Sequence, residues 1–337
     1  SQGDTVNGQG LRPTLYDLLA HRALAQFSNE RNYLTAPAYK FELDAENAFA
    51  PAADFVKIKF TSPDSTSSKL LAINLFQRVL TAHQADRDPS ALIDADLVRL
   101  QLVRNNSVRE DKDRLYENAL ETLHKKHYDH PSDAEIVYHL AEYLYNIPTG
   151  DQGAQAKRAV TECEDAMRRH PGSYGARLCS QLLENIRAME LNMQTEEVYL
   201  PEKNMLVSLN VRNLTSVWTK VVRVPDDPDI WINIAYNQKL NYLNGLQGMQ
   251  NRTWKIPDPG DYQQHRTEIA LEPLPLGNYW VLVSSNINFD PKKGPVTFTN
   301  FHCSNLAAVQ YSEEGLSHFV VANRQSGLPV AGAKLDF

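Results

Sequence analysis

Four histidines near the middle of the chain are the first residues whose types and spacing could do chemistry. His124, His127 and His130 recur every three residues, and His139 follows them. On a helix His124 and His127 would share a face, and such a pair can bind zinc. His130 stands directly before Pro131, however, and a cationic side chain at a helix C-terminus is favourable without any metal. We therefore favour a helix end over a metal site and expect no cofactor.

Other arrangements typical of catalysis are missing from the sequence. It has no glycine-rich phosphate loop after a strand, no GxSxG nucleophile motif and no HExxH zinc motif. Asp226 and Asp227 stand in a proline-rich turn without the ligand periodicity of a calcium loop, which favours solvated loop charges over a calcium site. Cys163 and Cys179 fall at apolar positions of predicted helices, which indicates core packing. The sequence therefore predicts that the chain is not an enzyme.

Two tryptophans could contribute to binding rather than to catalysis. Trp231 and Trp254 lie in a long insertion, residues 225–262, and could form a platform for a sugar or a peptide. Aromatic side chains in such an insertion also close the open end of a β-sandwich by packing there. We favour packing and keep both tryptophans as candidate interaction residues.

Length and composition limit the classes of protein to which the chain can belong. The 337 residues are 42% hydrophobic and 22% charged, which is enough for two or more domains with their own cores. A net charge of −7 with scattered Lys and Arg argues against nucleic-acid binding, and no apolar run is long enough for a membrane-spanning helix. Three cysteines make no disulfide framework. The polar start SQGDTVNGQG fits either a cytosolic start or the new end left by signal cleavage.

The sequence pattern changes near residue 193. Before it, apolar residues recur with helical spacing; after it, short alternating segments are separated by clusters of Pro, Gly and Asn. Strands without long intervening helices are typical of an antiparallel sandwich. We predict an α+β chain of separate domains: a helical region over residues 1–192, a β-sandwich over 193–308, and the start of a second sandwich over 309–337.

Two local patterns in the helical region make specific predictions. Thr14 and Asp17 form a weak capping box, which predicts that a helix begins there. The alternating FVKIKF, Phe55 to Phe60, predicts a strand. The apolar face of the first helix, which we expect to face the core, comprises Leu15, Leu18, Leu19 and Leu24.

A self-similar pattern predicts stacked helical hairpins. YENALETLHKKHYDHP (116–131) and KRAVTECEDAMRRHP (157–171) each place an Ala twelve residues before a Pro, at Ala119 and Ala159. This spacing resembles the second helix of a tetratricopeptide (TPR) repeat, whose standard period is about 34 residues. Because the period here is longer and the first-helix signature is absent, we predict a TPR-like array. Its concave surface is expected to hold a groove for a protein segment, lined by Tyr138, His139 and Glu142.

Five strands are predicted in the second half of the chain from alternation between turn residues. They are MLVSLNV (205–211), WTKVVRV (218–224), TEIALEPL (267–274), YWVLVSS (279–285) and VTFTNFHCS (296–304). A short helix is predicted around residues 237–243, within the insertion.

Four segments of this second half together resemble macroglobulin-type domains. They are EVYLPEKNMLVSLNVRNL (197–214), IPDPGDYQQHRTEIALEPLPLGNYWVLVSS (256–285), FTNFHCSNLAAVQ (298–310) and SGLPVAGAKLDF (326–337), the last of which resembles the opening of a further domain. The combination resembles the N-terminal part of the large bacterial alpha-2-macroglobulin-like proteins, particularly those of Bacteroidetes. The resemblance covers residues 194–337, and the helical part only by its architecture and by TLYDLLAHRAL near the start.

The resemblance implies a bacterial cell-envelope protein, exported by a signal peptide, with a role in protease trapping. Such proteins collapse around a protease that cleaves a bait segment, and some capture it through a thioester with the motif Cys-x-Glu-Gln. The cysteines here read CEDA at Cys163, CSQL at Cys179 and CSNL at Cys303, so none matches the thioester motif. The implied role of this part is that of a scaffold and an interaction surface, and its partners would be a protease or downstream domains of the same chain.

A second hypothesis belongs to another class of protein. The chain would be a TPR-like interaction scaffold in an envelope complex, with a transthyretin-like β domain as a spacer. Downstream sequence distinguishes the two hypotheses, because serial macroglobulin domains with a bait segment or a thioester favour the first.

Overall fold

The computed structural model describes residues 10–27, 41–64, 67–148, 150–224, 235–313 and 316–334. The chain divides into two compact units, Ser1–Ile186 and Arg187–Phe337. Among the described residues, the first unit is helical and the second holds all ten strands. The predicted α+β class is therefore confirmed. None of the described helices is both long enough and apolar enough to cross a bilayer.

The described part of the helical unit contains eight α-helices, of which the last six are joined by short loops. Its helices are α1 Leu15–Phe27, α2 Ala52–Phe55, α3 Ser68–His83, α4 Ser90–Asn106, α5 Lys112–His127, α6 Asp133–Asn146, α7 Gln152–Arg169 and α8 Tyr174–Arg187, with a 3-10 turn at Glu46–Phe49. The two self-similar segments form α5 and α7. Polar caps start several helices: Ser67 accepts a hydrogen bond from Leu70 N at 3.4 Å, and Asp151 accepts one from Ala154 N at 2.9 Å.

The strand predicted at FVKIKF is wrong. Phe55 is the last residue of α2, and residues 56–60 form a turn and an irregular segment. The side chain of Gln77 holds this segment, because its Nε2 donates to Phe55 O at 2.9 Å and to Ile58 O at 2.7 Å. A side chain thus satisfies the carbonyls that a neighbouring strand would otherwise have to satisfy.

The predicted burial of α1 is also wrong for three of its four leucines. Leu24 is buried, but Leu15, Leu18 and Leu19 are 69%, 49% and 55% exposed. The capping box does form, since Thr14 N and Oγ1 donate to Asp17 at 2.9 and 2.7 Å and Asp17 N donates back to Thr14 Oγ1 at 3.2 Å. The buried residues of α1 are Asp17, Ala20, His21 and Leu24, of which two are ionisable.

The β unit contains three sheets. Its strands are β1 Glu190–Gln194, β2 Val198–Tyr199, β3 Met205–Arg212, β4 Ser216–Arg223, β5 Gln250–Lys255, β6 His265–Leu271, β7 Gly277–Ser284, β8 Val296–Cys303, β9 Leu306–Glu313 and β10 Leu316–Asn323. One sheet has the order β1-β3-β6, the second β2-β8-β7-β4-β5, and β9 pairs with β10. All described pairs are antiparallel except the short β2–β8 pair.

The two larger sheets contribute side chains to one hydrophobic core. Val207 and Leu209 of β3 meet Val281 and Val283 of β7 there, together with Phe301 of β8. A second cluster lies on the other face of the five-stranded sheet, where Leu243 packs near Val222 and Leu282. Leu243 belongs to α9, Tyr236–Gly245, which matches the predicted short helix.

The five predicted strands correspond to β3, β4, β6, β7 and β8, but other strands were not predicted. β1 reads ELNMQ and β5 reads QNRTWK, and neither has the apolar alternation that identifies a half-buried strand. Both are edge strands of their sheets. Side chains of an edge strand face less of the core, so the pattern is weak.

Candidate functional site

A groove of the helical unit lies between the 3-10 turn, α4 and α5. Its volume is about 650 Å³. The apolar lining consists of Phe49, Ala50, Pro51, Ala52, Leu92, Leu100, Leu115, Ala119 and Leu123, and the polar lining of Glu46, Asn47, Asp96, Arg99, Asn118, Thr122, Lys126 and His127. Binding pockets of this size combine apolar side chains with polar groups that orient the ligand.

One wall of the groove is fixed by a buried arginine. Arg99, on α4, donates from Nε to Asp96 Oδ1 at 2.7 Å and from Nη1 to Ala48 O at 2.6 Å. Its guanidinium carbon also lies 4.4 Å from the centre of the Phe55 ring. Arg99 thereby ties the segment around residues 46–55 to α4, and the charge is balanced inside the protein.

Opposite charges stand at different parts of the groove lining. Glu46 is exposed, and its carboxylate is 3.8 Å from the guanidinium of Arg109. Lys126 and His127 belong to the last turn of α5. The Asp96–Arg99 pair is neutral as a whole, so Lys126 supplies the exposed cationic charge among the lining residues.

His127 presents a polar atom without a protein partner. Its Nε2 is buried and has no hydrogen bond among the described residues. Burial lowers the pKa of His127, and the nearby cations Lys126 and His130 lower it further. The ring is therefore neutral near pH 7, and one of its nitrogens must find a partner or remain unsatisfied.

The predicted groove residues lie elsewhere. Tyr138, His139 and Glu142 are all on α6, and none of them lines the groove described above. Tyr138 Oη donates to Glu142 Oε1 at 2.8 Å, and His139 Nδ1 is 3.9 Å from Glu142 Oε2. Burial and the Glu142 carboxylate raise the pKa of Tyr138 to about 12, and burial lowers the pKa of His139. These three side chains thus form a small network of their own.

Of the two tryptophans that could form a platform, Trp254 lies in the described part of the chain. Trp254 lies on β5, where its Nε1 donates to Thr219 Oγ1 at 3.0 Å and its ring packs against the core of the β unit. Trp231 lies outside the described residues. Trp254 therefore has a packing partner and a hydrogen-bond partner within its own unit.

The histidine series does not converge on one point. His124 Nδ1 is 2.7 Å from Asp133 Oδ1, whereas His130 Nε2 is 3.3 Å from Asp88 Oδ1. Within the described ranges, no three His, Cys, Asp or Glu side chains stand close enough to hold a metal ion. His124, His130 and His139 each lie near a different acidic side chain. His127 lines the groove instead.

The cysteines are core residues in the described structure. Cys163, Cys179 and Cys303 are all buried free thiols. Burial raises the pKa of Cys303 to about 11, and the neighbouring Cys179 together with burial raises that of Cys163. Thiols with raised pKa values are poor nucleophiles at neutral pH.

The groove itself was missed by sequence reasoning, although one signal for it was available. Ala119 is the repeated small residue of α5, and its size alone predicts only a close helix contact. In the structure Ala119 is half-buried and lines the groove, whereas its counterpart Ala159 is fully buried. The segment around residues 46–52, which forms the facing wall, has no periodic pattern from which its position could be inferred.

Comparison with known proteins gives a structural neighbour for part of the chain. No protein-family model and no curated protein matches the chain. One structural neighbour is the crystal structure of native alpha-2-macroglobulin from Escherichia coli, spanning domains MG0-NIE-MG1, with 13% sequence identity and a TM-score of 0.30. The match covers 41% of this chain and 47% of that one, so it spans about half of the neighbour.

Proposed function

We propose that the helical unit is a peptide-docking module and that the β unit is the non-catalytic scaffold that carries it. The groove between the 3-10 turn, α4 and α5 is the observation that carries this proposal. It is open, and nine apolar and eight polar residues line it. An extended protein segment fits such a groove, because apolar side chains can enter it while the backbone keeps polar partners.

The charges of the groove specify the kind of segment. Apolar side chains of the ligand would lie against Leu92, Ala119 and Leu123, which are half-buried lining residues. An acidic side chain would lie beside the exposed ammonium group of Lys126. The ligand is therefore an apolar segment with an Asp or Glu at one end.

The wider setting of the proposal is a macroglobulin-type envelope protein. Two tyrosines of the quoted motifs support a sandwich of this type. Tyr199 Oη donates to Leu206 O at 2.6 Å, and Tyr279 Oη donates to Pro275 O at 3.0 Å, four residues upstream, as in the tyrosine corner of β-sandwiches. The shared core of the two larger sheets supports the same assignment. On this view α4–α5 and α6–α7 are hairpins of a TPR-like array ahead of the first macroglobulin-like domain.

The alternative hypothesis keeps the docking module but changes its setting. The β unit would then be a transthyretin-like spacer in an envelope complex, and the full protein would not trap proteases. Both hypotheses share the groove, so downstream sequence separates them and groove experiments do not.

A display library of short random peptides tests the docking proposal. The full chain is immobilised, and the bound peptides are sequenced; apolar peptides with an acidic end are the expected selection. Ala119→Arg fills the groove and should weaken the selected peptides at least about tenfold, since an inserted charged side chain both blocks and desolvates the site. Lys126→Glu should reverse the preference for acidic residues without filling the groove.

The matched control is Thr161→Arg, which places the same side chain on an exposed position of α7 outside the groove lining. It should leave binding unchanged. Selection of no peptide above background, or equal binding by the Ala119→Arg and Thr161→Arg chains, would overturn the proposal.

The trapping setting is tested with proteases. The chain is mixed with unrelated proteases, and each mixture is analysed on a sizing column for cleavage and for stable co-elution. Cleavage without a complex is the expected result, because the scaffold proposal assigns capture to other parts of the protein. A stable complex with a protease would contradict the scaffold role.

A further inference from the structure

Helix α1 contacts the rest of its unit through its polar side. The side chains of Asp17 and His21 are nearly inaccessible, at 1% and 9% exposure, while Leu15, Leu18 and Leu19 point outward. Of the leucines of α1, only Leu24 is buried. This is the reverse of an ordinary amphipathic helix, whose apolar side faces the core.

Ionisable side chains make the contacts on this polar side. His83, at the end of α3, has Nε2 at 2.9 Å from Asp17 Oδ1 and Nδ1 at 2.6 Å from Asp86 Oδ2. One imidazole thus bridges a carboxylate of α1 and a carboxylate that follows α3. On α4, Asp94 Oδ2 is 3.3 Å from Arg12 Nε and 3.6 Å from His21 Nε2.

We propose that α1 is a releasable latch, held to α3 and α4 by the Asp17–His83–Asp86 and Arg12–Asp94–His21 contacts, and that neutralising His83 loosens it. Apolar burial holds α1 only weakly, because its buried apolar residues are Ala20 and Leu24, and their burial adds little stabilisation. None of the latch residues lines the groove, so the test of the latch is independent of the docking proposal.

The direction of the pH dependence follows from the groups that face His83, namely Asp17 and His21 of α1 and Asp86 after α3. Burial alone would lower the pKa of His83, but its hydrogen bonds to Asp86 and Asp17 raise the pKa above 6.5. Burial alone would raise the pKa of Asp17, but bonds from Thr14 and His83 lower it. His83 therefore contributes fully below pH 6.5, and its contribution is lost as the pH rises through its raised pKa.

Two other groups titrate near the latch. Burial and Arg12 lower the pKa of His21, so His21 is neutral above pH 7 whether α1 is docked or free. Glu135 interacts with Arg12 and Asp94, and its pKa is raised to about 7. Ionisation of the buried Glu135 carboxyl destabilises the folded unit by itself, so a variant of His83 is needed to separate the effect of the imidazole.

Amide hydrogen exchange of the full chain tests the latch. Exchange rates of residues 15–27, corrected for the intrinsic pH dependence, are compared between pH 7 and pH 9, with the amides of α6 as an internal reference. We expect the corrected rates of α1 to rise several-fold over this range while those of α6 stay constant. His83→Gln should give rates at pH 7 that are as high as those of the parent chain at pH 9, and insensitive to pH.

Leu19→Ser is the matched control, because it changes an outward-pointing residue of the same helix. It should leave the exchange of α1 unchanged at both pH values. The latch is disproved if the corrected exchange rates of α1 in the parent chain are independent of pH. It is also disproved if His83→Gln accelerates exchange in α6 as much as in α1, because uniform acceleration means that the whole helical unit has become less stable.

Discussion

Arg99 and Asp96 form an ion pair that is almost completely buried, with Nη2 of the arginine 2.6 Å from Oδ1 of the aspartate. Their side chains are 1% and 2% exposed, and both belong to α4. The same guanidinium bonds to Ala48 O and packs against the Phe55 ring. One buried charge pair therefore connects the stability of α4 to the position of the groove wall.

Replacing the arginine alone should be far more costly than replacing the pair. Arg99→Met leaves the Asp96 carboxylate buried without its cation, and we expect the free energy of unfolding to fall by about 3–5 kcal/mol. The double variant Arg99→Met with Asp96→Leu should recover most of that loss. Urea denaturation followed by circular dichroism measures both, and equal losses in the single and double variants would contradict the argument.

The sequence predicted the helices of the first unit better than the faces they bury. For α1 the spacing of Leu15, Leu18 and Leu19 correctly indicated a helix, but the buried side is set by Asp17 and His83, which are far apart in sequence. A polar contact between residues that are far apart in sequence produces no periodic pattern of apolar residues. The predicted face was therefore reversed although the helix itself begins where its cap predicts.

The candidate site was harder to predict for a related reason. Arg99 and Lys126 carry no motif, and the wall around Phe49 is brought to them by the bond from Arg99 to Ala48 O. In the β unit, by contrast, the alternation of β3 and β7 was sufficient, because both strands contribute every second residue to one core. Local periodicity predicts elements; a groove between elements depends on contacts that periodicity does not encode.

Glu135 should make the helical unit less stable as the pH rises from about 4.5 towards neutrality. Burial raises the pKa of Glu135 from 4.5 to about 7, the carboxylate of Asp94 adds to the rise, and Arg12 opposes it. An acid whose pKa is higher in the folded state keeps its proton on folding, so stability is lost between pH 4.5 and 7 and stays lost above. The loss is on the order of 3 kcal/mol at its upper limit.

Glu135→Gln removes this titration, and its free energy of unfolding should depend less on pH between 4.5 and about 7 than that of the parent chain. Chemical denaturation at several pH values provides the measurement. Glu110→Gln, at an exposed position, is the control and should follow the parent chain. A Glu135→Gln curve parallel to the parent's would show that this carboxyl does not titrate in the range.

The hydroxyl groups of Tyr199 and Tyr279 should each stabilise the β unit. Tyr199 Oη donates to Leu206 O and accepts from Glu196 N at 3.1 Å, and Tyr279 Oη donates to Pro275 O. Changing either residue to Phe keeps the ring in the core and removes only these bonds, at a cost of about 1 kcal/mol each. Tyr311→Phe, whose ring is largely exposed, should be neutral in the same denaturation experiment. An unchanged free energy of unfolding in both Tyr199→Phe and Tyr279→Phe would show that these hydrogen bonds do not stabilise the β unit.

Gly175, on α8, lies close to the backbone of α6. A Cβ atom at this position would lie 2.1 Å from Glu135 N and 2.2 Å from Ala134 C, both backbone atoms that cannot turn aside. Gly175→Ala must therefore push α8 away from α6, and we expect a loss of about 1–3 kcal/mol. Gly245→Ala is the matched control, because nothing lies within 4 Å of a Cβ there and alanine favours the helix. Thermal unfolding monitored by circular dichroism distinguishes them: Gly175→Ala should lower the melting temperature, Gly245→Ala should maintain or raise it, and the same result for both would mean that the two helices can separate at no cost.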